Sequence, residues 1–153
     1  MKHVRSGLLA ASVVAAATLQ AAAAQAAEIV VGMQCDRTGP TQTVGTFLCP
    51  GYHDYVKLIN SKGGIGGHTI KVLEIDHEYK VPPGMEAYQR FKAEGAVSVM
   101  IYGTPHTQAL TPLLNADKIP GTSPGFGSAA AANGIKFPYV FPIAATYWSQ
   151  GAA

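Results

Sequence analysis

Gly121-Thr122-Ser123-Pro124-Gly125 matches G-x-S-x-G, the spacing that presents a nucleophilic serine on a sharp strand-to-helix turn. The chemistry fails one residue later. The oxyanion of such a reaction is held by the backbone N–H of the residue after the serine, and Pro124 has none. Losing that donor removes about 3 kcal/mol of transition-state stabilisation. A triad would also need a downstream histidine, and His106 is the last histidine in the chain. A serine hydrolase is therefore the weak enzymatic alternative, and a non-enzymatic protein is expected.

Two other clusters invite chemistry. Gly63-Gly64-Ile65-Gly66-Gly67 could suggest a phosphate-binding loop, but it lacks the Lys-Ser/Thr ending. It also follows a helical segment and precedes a strand, the reverse of the required order. A helix stop is the better account. Asp76-His77-Glu78 offers acid–base or metal-ligating groups, yet three adjacent polar residues just past a strand are expected to form a solvated turn. The five histidines show no ligand spacing with Cys35 and Cys49, so solvated or locally hydrogen-bonded histidines are expected, with no metal and no cofactor.

The elements that must position such residues begin after an address. Lys2, His3 and Arg5 precede an uncharged apolar stretch, Leu8 to Leu19, and Ala24-Gln25-Ala26 is a small-x-small cleavage site. Residues 1–26 are expected to be a secretory signal peptide, with the mature chain in the periplasm. The whole chain has 11 Lys+Arg against nine Asp+Glu, net +2. Lys2 and Arg5 fall in the signal, so residues 27–153 balance nine bases with nine acids. The basic residues are scattered, which argues against nucleic-acid binding. Export makes a Cys35–Cys49 disulfide chemically possible, with two free buried thiols the alternative, since spacing alone cannot supply the Cα separation a bridge needs.

Strand and helix then alternate. Glu28 to Gln34 reads as a buried strand, Cys35 to Gly45 as a turn-rich loop, and Thr46 to Lys62 as a helix with Pro50 in its first turn. Thr69 to Ile75 is the second strand. A helix opens at Pro82-Pro83 and runs to about Glu94, with Gly95 as its cap. Val97 to Tyr102, Ile119 to Ser123 and Tyr139 to Ile143 are further strands. His106 to Asp117 is a helix, Ala129 to Ala132 a helical turn, and another helix starts near Thr146. The order predicts an α/β fold with a parallel sheet. Ligands of such sheets lie beyond the carboxyl ends of the strands, where Cys35 to Gly45, Gly103 to His106 and Ser123 to Ser128 fall.

The segments "IVVGMQCDRTGP", "YVKLINSKGGIGGHTIKVLEID", "VSVMIYG" and "KIPGTSPG" closely resemble the type I periplasmic solute-binding proteins of the leucine/isoleucine/valine branch of ABC transporters. The resemblance covers Glu28 to Ala153. It implies a two-lobed protein that closes on its ligand about a hinge. Residues 27–153 would form most of the first, three-layer lobe, and the chain reads as an N-terminal fragment. That lobe alone is expected to bind ligand weakly or not at all. The expected role is to capture a small carboxylate-bearing solute, such as a branched-chain amino acid, and deliver it to a membrane permease. A ligand-sensing lobe of a receptor is the alternative the shared fold allows.

Carried over by position, the family's carboxylate-binding hydroxyl falls on Thr104 and its next contact loop on Gly125, Phe126 and Gly127. The aromatic of the first loop falls on Val44 and the hydroxyl for the α-ammonium on Gly127, both departures from the family pattern. The acidic residue after the fifth strand falls on Tyr147. No acidic residue occurs from Lys118 to Ala153, so an apolar or aromatic carboxylate is expected alongside the amino acids. Phe126, Tyr147 and Trp148 would supply aromatic surface.

Overall fold

The computed structural model describes residues 28–123 and 127–153. Five strands form one parallel sheet in the order β2-β1-β3-β4-β5: β1 is Ile29–Cys35, β2 Ile70–Asp76, β3 Ser98–Met100, β4 Gly121–Ser123 and β5 Val140–Pro142. Between them run α1 (Gln42–Ser61), α2 (Val81–Ala93), α3 (Thr104–Asp117) and a 3₁₀ turn at Ala129–Ala132, with α4 (Tyr147–Gly151) after β5. Because successive strand residues face opposite sides, each strand feeds two cores. Val99 and Ile101 pack with Tyr88 and Phe91 of α2 and Leu110 and Leu114 of α3. Met33 and Met100 point the other way, to Cys49 and Tyr52 of α1. The result is the expected three-layer α/β lobe.

Helix α1 begins four residues earlier than the sequence suggests, which places Pro50 and Cys49 in the helix interior rather than in its first turn. The reason is Asp36. Its buried carboxylate accepts the Gly39 N–H at 2.6 Å, the Thr41 N–H at 2.8 Å and the Thr41 hydroxyl at 2.6 Å. The loop is thus tightened to 36–41, and helix starts directly after it. Gly45 lets α1 lie on this loop, since a Cβ there would stand 1.8 Å from the Asp36 carbonyl oxygen. At the other end, the Asn60 side chain donates to the Ile70 carbonyl at 2.9 Å and accepts the Ile70 N–H at 2.8 Å, fixing the start of β2.

The disulfide joins the end of β1 to the middle of α1. Cys35 and Cys49 are bonded, with their Cα atoms 6.4 Å apart and neither side chain exposed. Closing a loop of this length contributes about 3 kcal/mol on the chain-entropy account. We expect thiol counting on the protein, denatured without reductant, to find no free thiol. Cys49→Ser should lower unfolding stability by about 3 kcal/mol. Two free thiols would refute the pairing.

Candidate functional site

The carboxyl edge of the parallel sheet collects the loops that follow its strands. The one after β1 ends at Thr41, whose carbonyl accepts both the Val44 N–H of α1 at 2.9 Å and the Tyr102 phenol at 3.2 Å. Val44 therefore stands on the first turn of α1, not in the loop where the sequence placed it. After β3 the chain turns at Gly103, with φ +100°, and α3 starts at Thr104, two residues before the expected His106. The Thr104 hydroxyl is hydrogen-bonded to the Tyr147 phenol at 2.7 Å. The Tyr147 N–H in turn donates to the Gly127 carbonyl at 2.7 Å. Gly127 has φ +42°, and an added Cβ would meet the Ala145 carbonyl oxygen at 2.4 Å. Thr104, Gly127 and Tyr147 are thus brought together. Gly125 and Phe126 lie outside the described residues. Trp148 is largely exposed.

The loop after β2 overturns the expectation of a solvated turn at Asp76-His77-Glu78. His77 is fully buried and stacks on buried His106, with ring centroids 3.9 Å apart and planes 8° from parallel. The His77 Nε2–H donates to the Tyr102 carbonyl at 3.1 Å, and its Nδ1 accepts the Tyr79 N–H at 2.9 Å. The His106 Nε2–H donates to the Lys80 carbonyl at 3.0 Å. These partners make His77 a neutral Nε2–H tautomer and place a proton on Nε2 of His106, whose buried Nδ1 has no hydrogen-bond partner. Burial pushes the His77 pKa down to about 4, helped by the neighbouring His106, and burial lowers that of His106 as well. Asp76 is also engaged: its carboxylate accepts from the Arg37 N–H, the Thr38 hydroxyl and the Glu78 N–H. Burial opposes its ionisation, and these hydrogen bonds more than compensate, leaving its pKa low. His53 is partly exposed and hydrogen-bonded. Its Nε2 lies 2.6 Å from Glu74, which Arg37 also grips through two nitrogens.

Tyr79 follows on that loop. Its ring lies over the start of α3, where a Cβ on Gly103 would come 2.7 Å from Tyr79 Cε2. Burial raises the Tyr79 pKa, aided by Tyr147 and Tyr102, and burial raises that of Tyr102. Both phenols therefore keep their protons at neutral pH and act as donors. The edge presents uncharged hydroxyls on rigid supports, close to the start of α3 where the helix dipole favours an anion. Sequence reasoning missed Tyr79, Tyr102 and the histidine pair. The available signal was the strand order itself, because a parallel β2 delivers its following loop to the same edge as β1 and β3.

Ser123, the hydrolase serine, is buried at the end of β4. Among the described residues, Cys35, Cys49 and Glu74 are close enough to hold a metal ion, but the sulfurs are bonded to each other and Glu74 is paired with Arg37 and His53. Among the described residues no helix is long and apolar enough to cross a membrane.

The strand order β2-β1-β3-β4-β5 is that of a doubly wound α/β fold, which takes its ligands at the carboxyl edge of the sheet. Residues 28–153 match the family model described as periplasmic binding protein, and the chain belongs to that family. No curated protein matches it. Among solved structures, the ABC transporter substrate-binding protein of Aeropyrum pernix is 27% identical, with a TM-score of 0.73, and the match covers 82% of this chain and 33% of that one. The fatty acid ABC transporter substrate-binding protein of Thermomonospora curvata is 22% identical, with a TM-score of 0.70 and coverage of 78% and 30%. The branched-chain amino acid transporter substrate-binding protein LivJ of Streptococcus pneumoniae, in complex with isoleucine, is 20% identical, with a TM-score of 0.70 and coverage of 78% and 34%. The latter two share the fold. This chain spans about a third of the length of these structures.

Proposed function

We propose that residues 27–153 form the first ligand-binding lobe of a periplasmic solute-binding protein that serves an ABC importer, exported by a signal peptide at 1–26. Its ligand is a small carboxylate-bearing solute with an apolar or aromatic body, a branched-chain amino acid being the leading single candidate. The protein closes on this solute and passes it to a permease at the inner membrane. Ligand favours the closed state through contacts made by both lobes. The observation that carries this reading is the Thr104–Tyr147 pair, 2.7 Å apart at the carboxyl edge of the sheet. It gives an anion neutral donors on a helix start. The names of two fold relatives fit, since isoleucine and fatty acids both join a carboxylate to an apolar body.

The test is a thermal-shift screen of the full-length protein against leucine, valine, benzoate and phenylacetate. At least one is expected to stabilise it. Thr104→Ala should weaken that ligand by about 1–3 kcal/mol, the range for a hydrogen bond to a charged group. Unchanged affinity would remove Thr104 from the site. Strong stabilisation by leucine or valine with none by the aromatic acids would assign the ligand to the amino acids.

A further inference from the structure

Glu78 and Tyr79 are consecutive non-glycine residues in the left-handed region, with φ 53° and 58°. L-residues rarely adopt this conformation, and it persists only where the surroundings impose it. Here buried groups do so. The Tyr79 N–H is taken by His77 Nδ1 at 2.9 Å, the Lys80 N–H by the His77 carbonyl at 2.9 Å, and the Glu78 N–H by Asp76 at 3.0 Å. His77 is itself locked in the stack with His106. The strained turn therefore fixes the Tyr79 ring. Its edge lies against Gly103, where a Cβ would come 2.7 Å from Cε2 and 3.2 Å from Cζ. The ring thus stands at the start of α3, next to Thr104, whose hydroxyl meets Tyr147.

We propose that Tyr79 is a ligand-contacting, specificity-determining residue, whose O–H donates to the same carboxylate that the Thr104 hydroxyl holds. This rests on the carboxylate reading above. A donor bonds a charged carboxylate about twice as strongly as a neutral acceptor. Tyr79 thus favours acids over their amides, while its ring walls the apolar body. His77 acts through Tyr79 as a positioning residue.

The experiment is titration calorimetry on the full-length protein with L-leucine, benzoate and benzamide, for wild type, Tyr79→Phe and Thr104→Ala. Phenylalanine keeps the ring against Gly103, so the ligand-free melting temperature should hold. Tyr79→Phe is expected to weaken the bound acid roughly tenfold while benzamide weakens only about threefold. An acid affinity equal to wild type, or an equal loss for acid and amide, overturns the inference and leaves the carboxylate reading standing. Wild type that binds neither acid, or Thr104→Ala that binds as tightly as wild type, removes the carboxylate reading and the inference with it.

Discussion

Lowering the pH from about 7 to about 4 is expected to cost the lobe on the order of 3 kcal/mol through His77 alone. Folding depresses this imidazole from its ordinary 6.5 to about 4. In that window the unfolded chain binds a proton that the folded lobe refuses. The contribution is fully present above pH 6.5 and is lost as the pH falls toward 4. The physical cause is burial first and His106 second: a charge on either ring would be desolvated and would face its stacked neighbour at 3.9 Å. Asp36 and Asp76 act in the opposite direction and are too weak to reverse the shift. His106, also lowered by burial, adds to the loss. The lowered carboxylates Glu74 and Asp76 begin to lose their contributions only as the pH falls into the ordinary carboxylate range, so they do not obscure the upper part of the window. Urea unfolding at steps between pH 7 and 4.5 measures this. His77→Gln, whose amide also carries a donor and an acceptor, should flatten the profile. A wild-type midpoint that does not move across this range would contradict the burial of neutral His77.

The element order was legible because hydrophobic runs and glycine stops are local signals. "VSVMIY" is β-branched and short, and Gly95 takes φ +79° where a helix must end. The start of α1 was not legible, because it depends on a side chain outside the helix. Asp36 collects donors from Gly39 and Thr41 and leaves no room for a longer loop. The family resemblance named Thr104 and Tyr147 one by one, but not their hydrogen bond across 43 residues of sequence. The Asp76-His77-Glu78 segment misled for a related reason. Polarity and adjacency predict solvent, but His77 is covered by Tyr102 of β3's following loop and by His106 of α3, and neither neighbour is near it in sequence. The strain at Glu78 and Tyr79 likewise leaves no mark in residue type, since neither is a glycine or asparagine.

Gly103→Ala is expected to lower stability by about 3 kcal/mol, combining a backbone conformation that side chains rarely adopt with overpacking. Gly103 has φ +100° and ψ 145°, and its missing side chain is the space that the site uses. A Cβ there would stand 2.7 Å from Cε2 of Tyr79 and 2.9 Å from Nδ1 of His106. Neither ring can retreat freely. His106 is stacked on His77 and bonded to the Lys80 carbonyl, and Tyr79 hangs from a turn that His77 holds. Both contacts belong to one packed cluster, so neither neighbour can yield without disturbing the other. Gly51→Ala is the matched comparison. Gly51 lies in α1, its added Cβ would meet nothing within 4 Å, and its φ is not positive, so alanine there should be neutral or stabilising by up to about 1 kcal/mol. Melting curves of the two variants should differ by roughly 10 °C. The displaced Tyr79 ring should also reduce acid binding at temperatures where Gly103→Ala remains folded. If Gly103→Ala melts with wild type, then Tyr79 is free to swing away, and the fixed ring on which the carboxylate contact depends does not exist.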